Sequence, residues 1–145
     1  DCWPQFSDAI VDYWLRPKLA CNYVCAAYRP LHICFSPVTA ERVTVYALND
    51  LPREYDLEYG VTAVGRGGQE LRSVRGRAKA PTNDVVELAD VSELYAQAEA
   101  ARGRLVALLY ADGELVSNNY RRAYQPTVAD VPMMVAELPP LPAQP

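Results

Sequence analysis

The sequence predicts a mainly β fold, an antiparallel β-sandwich of about seven strands preceded by an N-terminal helical segment. Two observations predict this fold class. Before Pro30, apolar residues recur at the three- and four-residue spacing of a helix. After Pro30, apolar and polar residues alternate in short runs. Turn-forming residues separate these runs roughly every 8–12 residues, as in sandwich domains.

The alternating runs are the predicted strands, and distinct turn signals separate them. The stretch 49–52 ends in proline, the glycine-rich stretch 65–68 breaks the third run, and Pro81 ends the fourth, charged run. Asp112-Gly113 is a dipeptide typical of a tight hairpin. The runs occupy residues 31–36, 43–48, 55–63, 71–80, 85–88, 105–110 and 114–120.

Two segments have helical signals. The first is 17–29, because a proline fits the first turn at Pro17 and Pro30 ends the segment. The second is 93–102, which is rich in Ala, Leu, Glu and Gln and is ended by Gly103. The residues at 90–93 resemble a capping box at its start. We expect this second helix to connect the two sheets of the sandwich.

Length and charge bound the organisation and the partners. The chain has 145 residues and a formal net charge of -4, whereas binding to nucleic acid or to a membrane surface favours a basic excess. We therefore expect neither partner. Residues 1–4 lack the features of a signal peptide and resemble the middle of a longer chain. We predict a helical segment at 1–30, a sandwich at 31–137 and a proline-rich tail at 138–145.

Several motifs in the first thirty residues resemble one enzyme family. Asp-Cys-Trp-Pro at 1–4, Ile-Val-Asp-Tyr-Trp at 10–14, Arg-Pro-Lys-Leu-Ala at 16–20 and Tyr23 are similar to the end of the catalytic barrel in glycoside hydrolase family 2. The likeness is to its β-mannosidase-like members. Trp14 departs from the tyrosine usual there, and Cys-Asn-Tyr at 21–23 replaces a tyrosine pair.

Two later stretches resemble the domain that follows this barrel. Residues 45–51 are similar to a strand that begins an immunoglobulin-like domain, and residues 112–119 to a hairpin near its end. The resemblance therefore implies an immunoglobulin-like antiparallel β-sandwich. It also implies that 1–30 is the end of the barrel with its last helix.

The resemblance implies a non-catalytic role. Family members hydrolyse β-glycosides with retention, using two glutamates on barrel strands upstream of this segment, so no acidic residue here inherits either role. Trp3 is the candidate for substrate contact, although packing at the domain junction is the alternative that we favour. We expect an accessory domain that packs against and supports the catalytic barrel of the same parent chain.

The cysteines and the single histidine allow one metal alternative. Cys21 and Cys25 lie one helical turn apart, and His32 and Cys34 share a strand face, which together would give a zinc set. The spacing matches no paired-cysteine knuckle, and the neighbouring residues are apolar. We therefore interpret the cysteines as buried free thiols and predict no metal and no cofactor. No nucleophile signature surrounds Cys34 or Ser36.

Two surface features leave alternatives open. Arg72, Arg75, Arg77 and Lys79 could meet an anionic ligand or an acidic neighbouring domain, but charges on a solvated edge strand are the favoured interpretation. The tyrosines could instead form an exposed face of a carbohydrate-binding sandwich, the alternative to interface packing. The helix face could also form a homodimer of the fragment. The tyrosines considered are Tyr13, Tyr23, Tyr28, Tyr46, Tyr55 and Tyr59.

Overall fold

A computed structural model describes residues 9–12, 14–37 and 41–125. The described residues belong to two compact units, and the division falls between Arg29 and Pro30. The elements are α1 (Leu19–Ala27), β1 (Leu31–Phe35), β2 (Thr44–Asn49), β3 (Tyr55–Val64), β4 (Glu70–Ala80), β5 (Asp84–Asp90), α2 (Ser92–Ala100), β6 (Arg104–Ala111) and β7 (Glu114–Arg122).

The first unit contains a tight loop followed by α1. The loop is closed by an antiparallel bridge between Val11 and Pro17, and the Lys18 N–H donates to the Ile10 carbonyl at 2.9 Å. Because Pro17 is used in this bridge, the helix begins at Leu19 and not at residue 17. It ends at Ala27, so the helix is shorter than predicted at both ends.

The second unit is the predicted antiparallel β-sandwich. One sheet has the order β1-β2-β5, and the other has the order β4-β3-β6-β7. In a constant-type immunoglobulin domain the fourth strand pairs with the fifth, whereas here it pairs with the third. The cause is the tight turn after β3, in which the Gly65 N–H donates to the Gln69 carbonyl at 2.9 Å. This turn places β4 beside β3 as a hairpin.

The core lies between the two sheets, as the alternation of the strands predicts. In β6 every second side chain is buried, and β3 shows the same alternation from its third residue onward. Helix α2 adds two buried side chains to this core. The largest apolar side chains that are fully buried are Ile33, Val45, Leu57, Val61, Val91, Leu105 and Leu109.

Helix α2 connects the two sheets as predicted, but its first turn differs from the prediction. The capping box at 90–93 does not form, because Asp90 is still paired with Thr44 at the end of β5 and Val91 takes the N-cap position. The Asp90 carboxylate instead accepts hydrogen bonds from the N–H and the hydroxyl of Ser92, at 2.9 and 2.6 Å.

The end of α2 depends on Gly103. The Gly103 N–H donates to the Ala98 carbonyl and the Arg102 N–H to the Glu99 carbonyl, which is the Schellman pattern of a helix end. Arg102 takes the left-handed conformation (φ 48°) that glycine usually provides. Glycine is needed one residue later, because a Cβ at position 103 would overlap the carbonyl oxygen of Val64.

Side chains of β7 satisfy the free backbone edge of β1. The Ile33 N–H donates to Ser117 Oγ at 3.2 Å, and Asn119 Nδ2 donates to the Ile33 carbonyl at 3.0 Å. Further along, Arg121 Nη1 donates to the Ser36 carbonyl at 2.8 Å. These bonds join the two sheets at the side of β1 that pairs with no strand among the described residues.

Asn49 joins the sheets at another corner of the sandwich. Its side chain is fully buried, and Nδ2 lies within hydrogen-bond distance of the carbonyls of Arg53 (2.8 Å), Ala80 (3.2 Å) and Pro81 (2.8 Å). Its Oδ1 accepts the Leu51 N–H at 3.1 Å. One amide therefore fixes the end of β2, the start of the next loop and the end of β4.

We predict that Asn49→Ala lowers the free energy of unfolding by roughly 2–4 kcal/mol, because several carbonyls lose their buried donor at once. Urea unfolding followed by circular dichroism measures this loss. Asn118→Ala, which removes a half-buried amide from the outer face of β7, is the matched control and should cost less than about 1 kcal/mol. Equal losses in the two variants would contradict the assigned role of Asn49.

Candidate functional site

Trp3, the candidate for substrate contact, lies outside the described residues, as do Cys2 and Tyr13. Three other groups that the sequence singles out lie within the described residues. These are the cysteines with His32, the remaining tyrosines, and the basic stretch of β4.

The described cysteines and the histidine do not form a metal centre. Cys21 and Cys25 face each other on α1 with their sulfurs 3.9 Å apart, and this hydrogen bond raises the pKa of the Cys21 thiol, with burial adding to the shift. Burial raises the pKa of the Cys34 thiol. His32 Nδ1 lies 3.0 Å from Ser117 Oγ. Within the described ranges, no three His, Cys, Asp or Glu side chains are placed to hold a metal ion.

The tyrosines of the sandwich do not share one exposed face. Tyr59 is buried, and its hydroxyl donates to the Leu88 carbonyl at 2.8 Å. Tyr55 is half-buried and lies under the Arg53 guanidinium, 4.3 Å from the ring centroid. Because Tyr59 points into the core, the tyrosine platform considered from the sequence is not formed by these strands.

The basic stretch of β4 is largely paired with acidic side chains. On the outer face of the four-stranded sheet, Arg77 lies opposite Glu58 and forms an ion pair with it at 2.6 Å. Lys79 lies 3.8 Å from its cross-strand neighbour Asp56. At the other end, Arg72 reaches Glu93 of α2 at 3.3 Å. This arrangement is that of a charged, solvated edge strand.

The fourth basic residue, Arg75, faces a gap in the sheet surface. It lies opposite Gly60 of β3, and Leu108 of β6 lies on the other side of that glycine. Since Gly60 has no side chain, its neighbours surround a concave space of about 580 Å³. We call this space the Gly60 notch, and its principal lining residues are Glu58, Gly60, Thr62, Arg75, Arg77, Leu108 and Tyr110.

The first unit presents large apolar side chains to solvent. The Asp12 carboxylate accepts the N–H groups of Trp14 and Arg16, at 2.9 and 2.8 Å, and so shapes the loop between them. At its tip Leu15 is 83 % exposed and has a left-handed backbone (φ 61°). Five large apolar side chains of this unit are exposed: Ile10, Trp14, Leu15, Tyr23 and Tyr28.

One carboxyl group has a shifted pKa with a clear structural cause. The two hydrogen bonds from Ser92 hold the pKa of Asp90 below its ordinary value of 3.8, and the Arg42 guanidinium 3.7 Å away acts in the same direction. Ser92 Oγ also accepts the Val43 N–H at 3.0 Å. Asp90 therefore takes part in holding the start of α2 against the start of β2.

No helix in the part of the chain that the structure describes is long and apolar enough to cross a membrane.

Comparison with known proteins gives a likeness of fold. No protein-family profile matches the chain, and no curated protein matches it. Among solved structures, a β-mannosidase from Dictyoglomus thermophilum is similar over 84 % of this chain, with a TM-score of 0.59 and 21 % identity. The chain shares its fold with part of a β-mannosidase. It spans only 15 % of that protein's length.

A second solved structure is similar over a smaller part. A β-glucuronidase from Bacteroides uniformis matches 64 % of this chain and 13 % of its own, at 18 % identity and a TM-score of 0.39, which is too low to show a shared fold. The resemblance that the sequence motifs indicate is confirmed at the level of fold by the β-mannosidase.

Sequence reasoning missed the Gly60 notch. The signal that could have found it is the single glycine inside the alternating run 55–63, since glycine in a strand interior often marks a place where another group approaches closely. The partners of Gly60 across the sheet could not be read from the sequence, because they depend on the register of three strands.

We predict that Asp90 contributes stability at neutral pH that is lost in acid. Because its folded pKa is lowered, the contribution is present above the ordinary value of 3.8 and disappears as the pH falls through the folded pKa. Asp90→Asn should therefore flatten the acid side of the stability curve, measured by urea unfolding between about pH 2 and 6. Glu54→Gln, a change at an exposed loop carboxylate, is the control, and a curve flattened equally by both variants would contradict the prediction.

Proposed function

We propose that the chain is a non-catalytic accessory domain of a larger glycoside hydrolase of family 2, β-mannosidase-like, which packs against and supports the catalytic barrel. The observation that carries this proposal is the match of 84 % of the chain to 15 % of a β-mannosidase. The motifs at 10–14 and 16–20, which resemble the end of the family's barrel, support it from the sequence.

The chemistry of the described acidic residues supports a non-catalytic role. Retaining hydrolysis needs two carboxyl groups about 5–5.5 Å apart across the scissile bond, one of them an acid with a raised pKa. The pKa of Asp90 is shifted downward instead. Glu58 and Asp56 lie on the outer face of the four-stranded sheet, where they form ion pairs with Arg77 and Lys79.

The exposed side chains of the first unit support a packing role. Trp14 is 62 % exposed, Leu15 83 % and Tyr28 84 %. Several large apolar side chains exposed on one short segment are typical of an interaction site in soluble proteins. Since the resemblance makes residues 1–30 the end of the barrel, the rest of that barrel would bury these side chains, and the loop shaped by Asp12 would present Trp14 and Leu15 to it.

The tyrosine-based carbohydrate-binding alternative has less support. It requires several rings on one exposed sheet face, whereas Tyr59 is buried and hydrogen-bonded inside the sandwich. The accessory role therefore remains the proposal.

We predict that the isolated chain does not hydrolyse 4-nitrophenyl β-mannoside, because the two catalytic carboxylates would lie on the barrel strands of the parent protein. Release of nitrophenolate is measured against an enzyme-free control over several hours. Turnover above that control which disappears in Glu58→Gln would show that the chain carries its own catalytic carboxylate, and it would contradict the proposal.

We further predict that Trp14 and Leu15 support the enclosing enzyme. In the parent protein, the double variant Trp14→Ser, Leu15→Asn should lower the free energy of unfolding by about 1.5–3 kcal/mol for each side chain that the barrel buries. Thermal unfolding and β-mannosidase activity are measured together. Leu71→Asn, at an exposed position of β4, is the matched control and should leave both unchanged. Equal stability of the double variant and the wild type would overturn the docking role.

A further inference from the structure

Two glycines lie in the interior of neighbouring strands, and the fold explains only one of them. A Cβ at Gly76 would overlap the hydroxyl of Tyr59, which needs that space to reach the Leu88 carbonyl. A Cβ at Gly60 would meet only Arg75 Cγ among the described atoms, at 3.8 Å, which is an ordinary contact. Gly60 also lacks the positive φ that favours glycine, since Gly68 and Gly113 are the described glycines that have one.

Glycine at position 60 therefore weakens the sheet without helping the fold. Gly60 lies in β3, a central strand paired on both sides, where a β-branched residue would be more stable than glycine. Glycine in such a position often marks close approach by a ligand. The consequence that the structure shows is the Gly60 notch, whose volume of about 580 Å³ is within the range of small-molecule sites.

The walls of the notch combine polar and apolar groups. Thr62 and the Glu58–Arg77 pair lie along two sides, and together they offer hydroxyl, carboxylate and guanidinium groups. Leu108 and Tyr110 of β6 form the opposite, half-buried wall. A sugar ring needs this combination, because its hydroxyls both donate and accept hydrogen bonds while its C–H face packs on apolar and aromatic groups.

The charge of the notch indicates which kind of sugar fits. Glu58 is neutralised by Arg77 at 2.6 Å, and the adjacent Lys79 is paired with Asp56. Arg75 has no acidic partner among the described residues, so the notch keeps one positive charge. A guanidinium binds a carboxylate with two parallel hydrogen bonds, which neutral hydroxyls do not match.

We propose that the Gly60 notch binds one carboxylate-bearing sugar ring, a uronic acid residue of an oligosaccharide. Arg75 binds the carboxylate, the Glu58–Arg77 pair and Thr62 bind ring hydroxyls, and Leu108 with Tyr110 packs against the C–H face. This binding goes beyond the accessory role, because it needs neither a catalytic group nor a contact with the barrel.

The test is a titration of the ¹⁵N-labelled chain with trigalacturonate, with neutral β-mannotriose as the comparison. We expect trigalacturonate to shift the amide signals of Gly60, Arg75 and Leu108, and mannotriose to bind at least about tenfold more weakly, since it lacks the charged partner of Arg75. Equal binding of the two sugars, or no shift at the notch, would overturn the proposal.

Two variants locate the binding. Gly60→Val fills the notch with a side chain that suits a strand, so the fold should keep or gain stability while the affinity falls at least about tenfold. Arg75→Gln should give a similar loss of affinity without filling the notch. If Gly60→Val folds poorly, the affinity of Arg75→Gln decides whether the notch is the binding site. Arg72→Gln removes a charge from the same strand outside the notch and should bind like the wild type.

The failure of this proposal can be distinguished from the failure of the accessory role. If Gly60→Val and Arg75→Gln bind trigalacturonate as the wild type does, the notch is not the site. That result would leave the inactivity of the isolated chain and the stability of the parent protein unaffected, so the accessory role is judged by its own measurements.

Discussion

The sandwich depends on side chains that satisfy backbone groups of the opposite sheet. At one edge, Ser117 and Asn119 bond both backbone groups of Ile33, and at another corner the buried Asn49 amide bonds carbonyls from two loops and β4. Apolar burial alone would let two sheets slide or rotate, because it has no direction. These few directional bonds fix how the two sheets lie on each other, and hence the outer faces on which any partner must bind.

Local signals predicted the elements well, because each depends on neighbouring residues. The alternation in 105–110 gives β6, and Asp112-Gly113 gives the hairpin with φ values of 53° and 80°. Contacts distant in sequence decided the rest. Pro17 joins Val11 instead of starting α1, and Asp90 stays in β5 because Thr44 pairs with it. Neither partner can be read from the local pattern.

The candidate site shows the same division. The sequence indicated that residues 75, 77 and 79 share a face, and the structure confirms this for Arg77 and Lys79 through their pairs with Glu58 and Asp56. Their acidic partners lie about twenty residues away on β3. The sequence pattern therefore did not show that these basic side chains form ion pairs. What distinguishes Arg75 is only the residue opposite it, a glycine, and that depends on the β3–β4 register.

The two units differ in how they bury apolar surface. The sandwich encloses its large aliphatic side chains almost fully, with Ile33, Leu105 and Leu109 at 0 % exposure. The segment 9–29 is too short to enclose a core of its own, since even domains of about 60 residues are marginal. Its exposed Trp14 and Leu15 lie on a loop that the Asp12 carboxylate holds in shape. A shaped loop with exposed apolar side chains loses little conformational entropy on binding, and this favours docking against a larger body over independent folding.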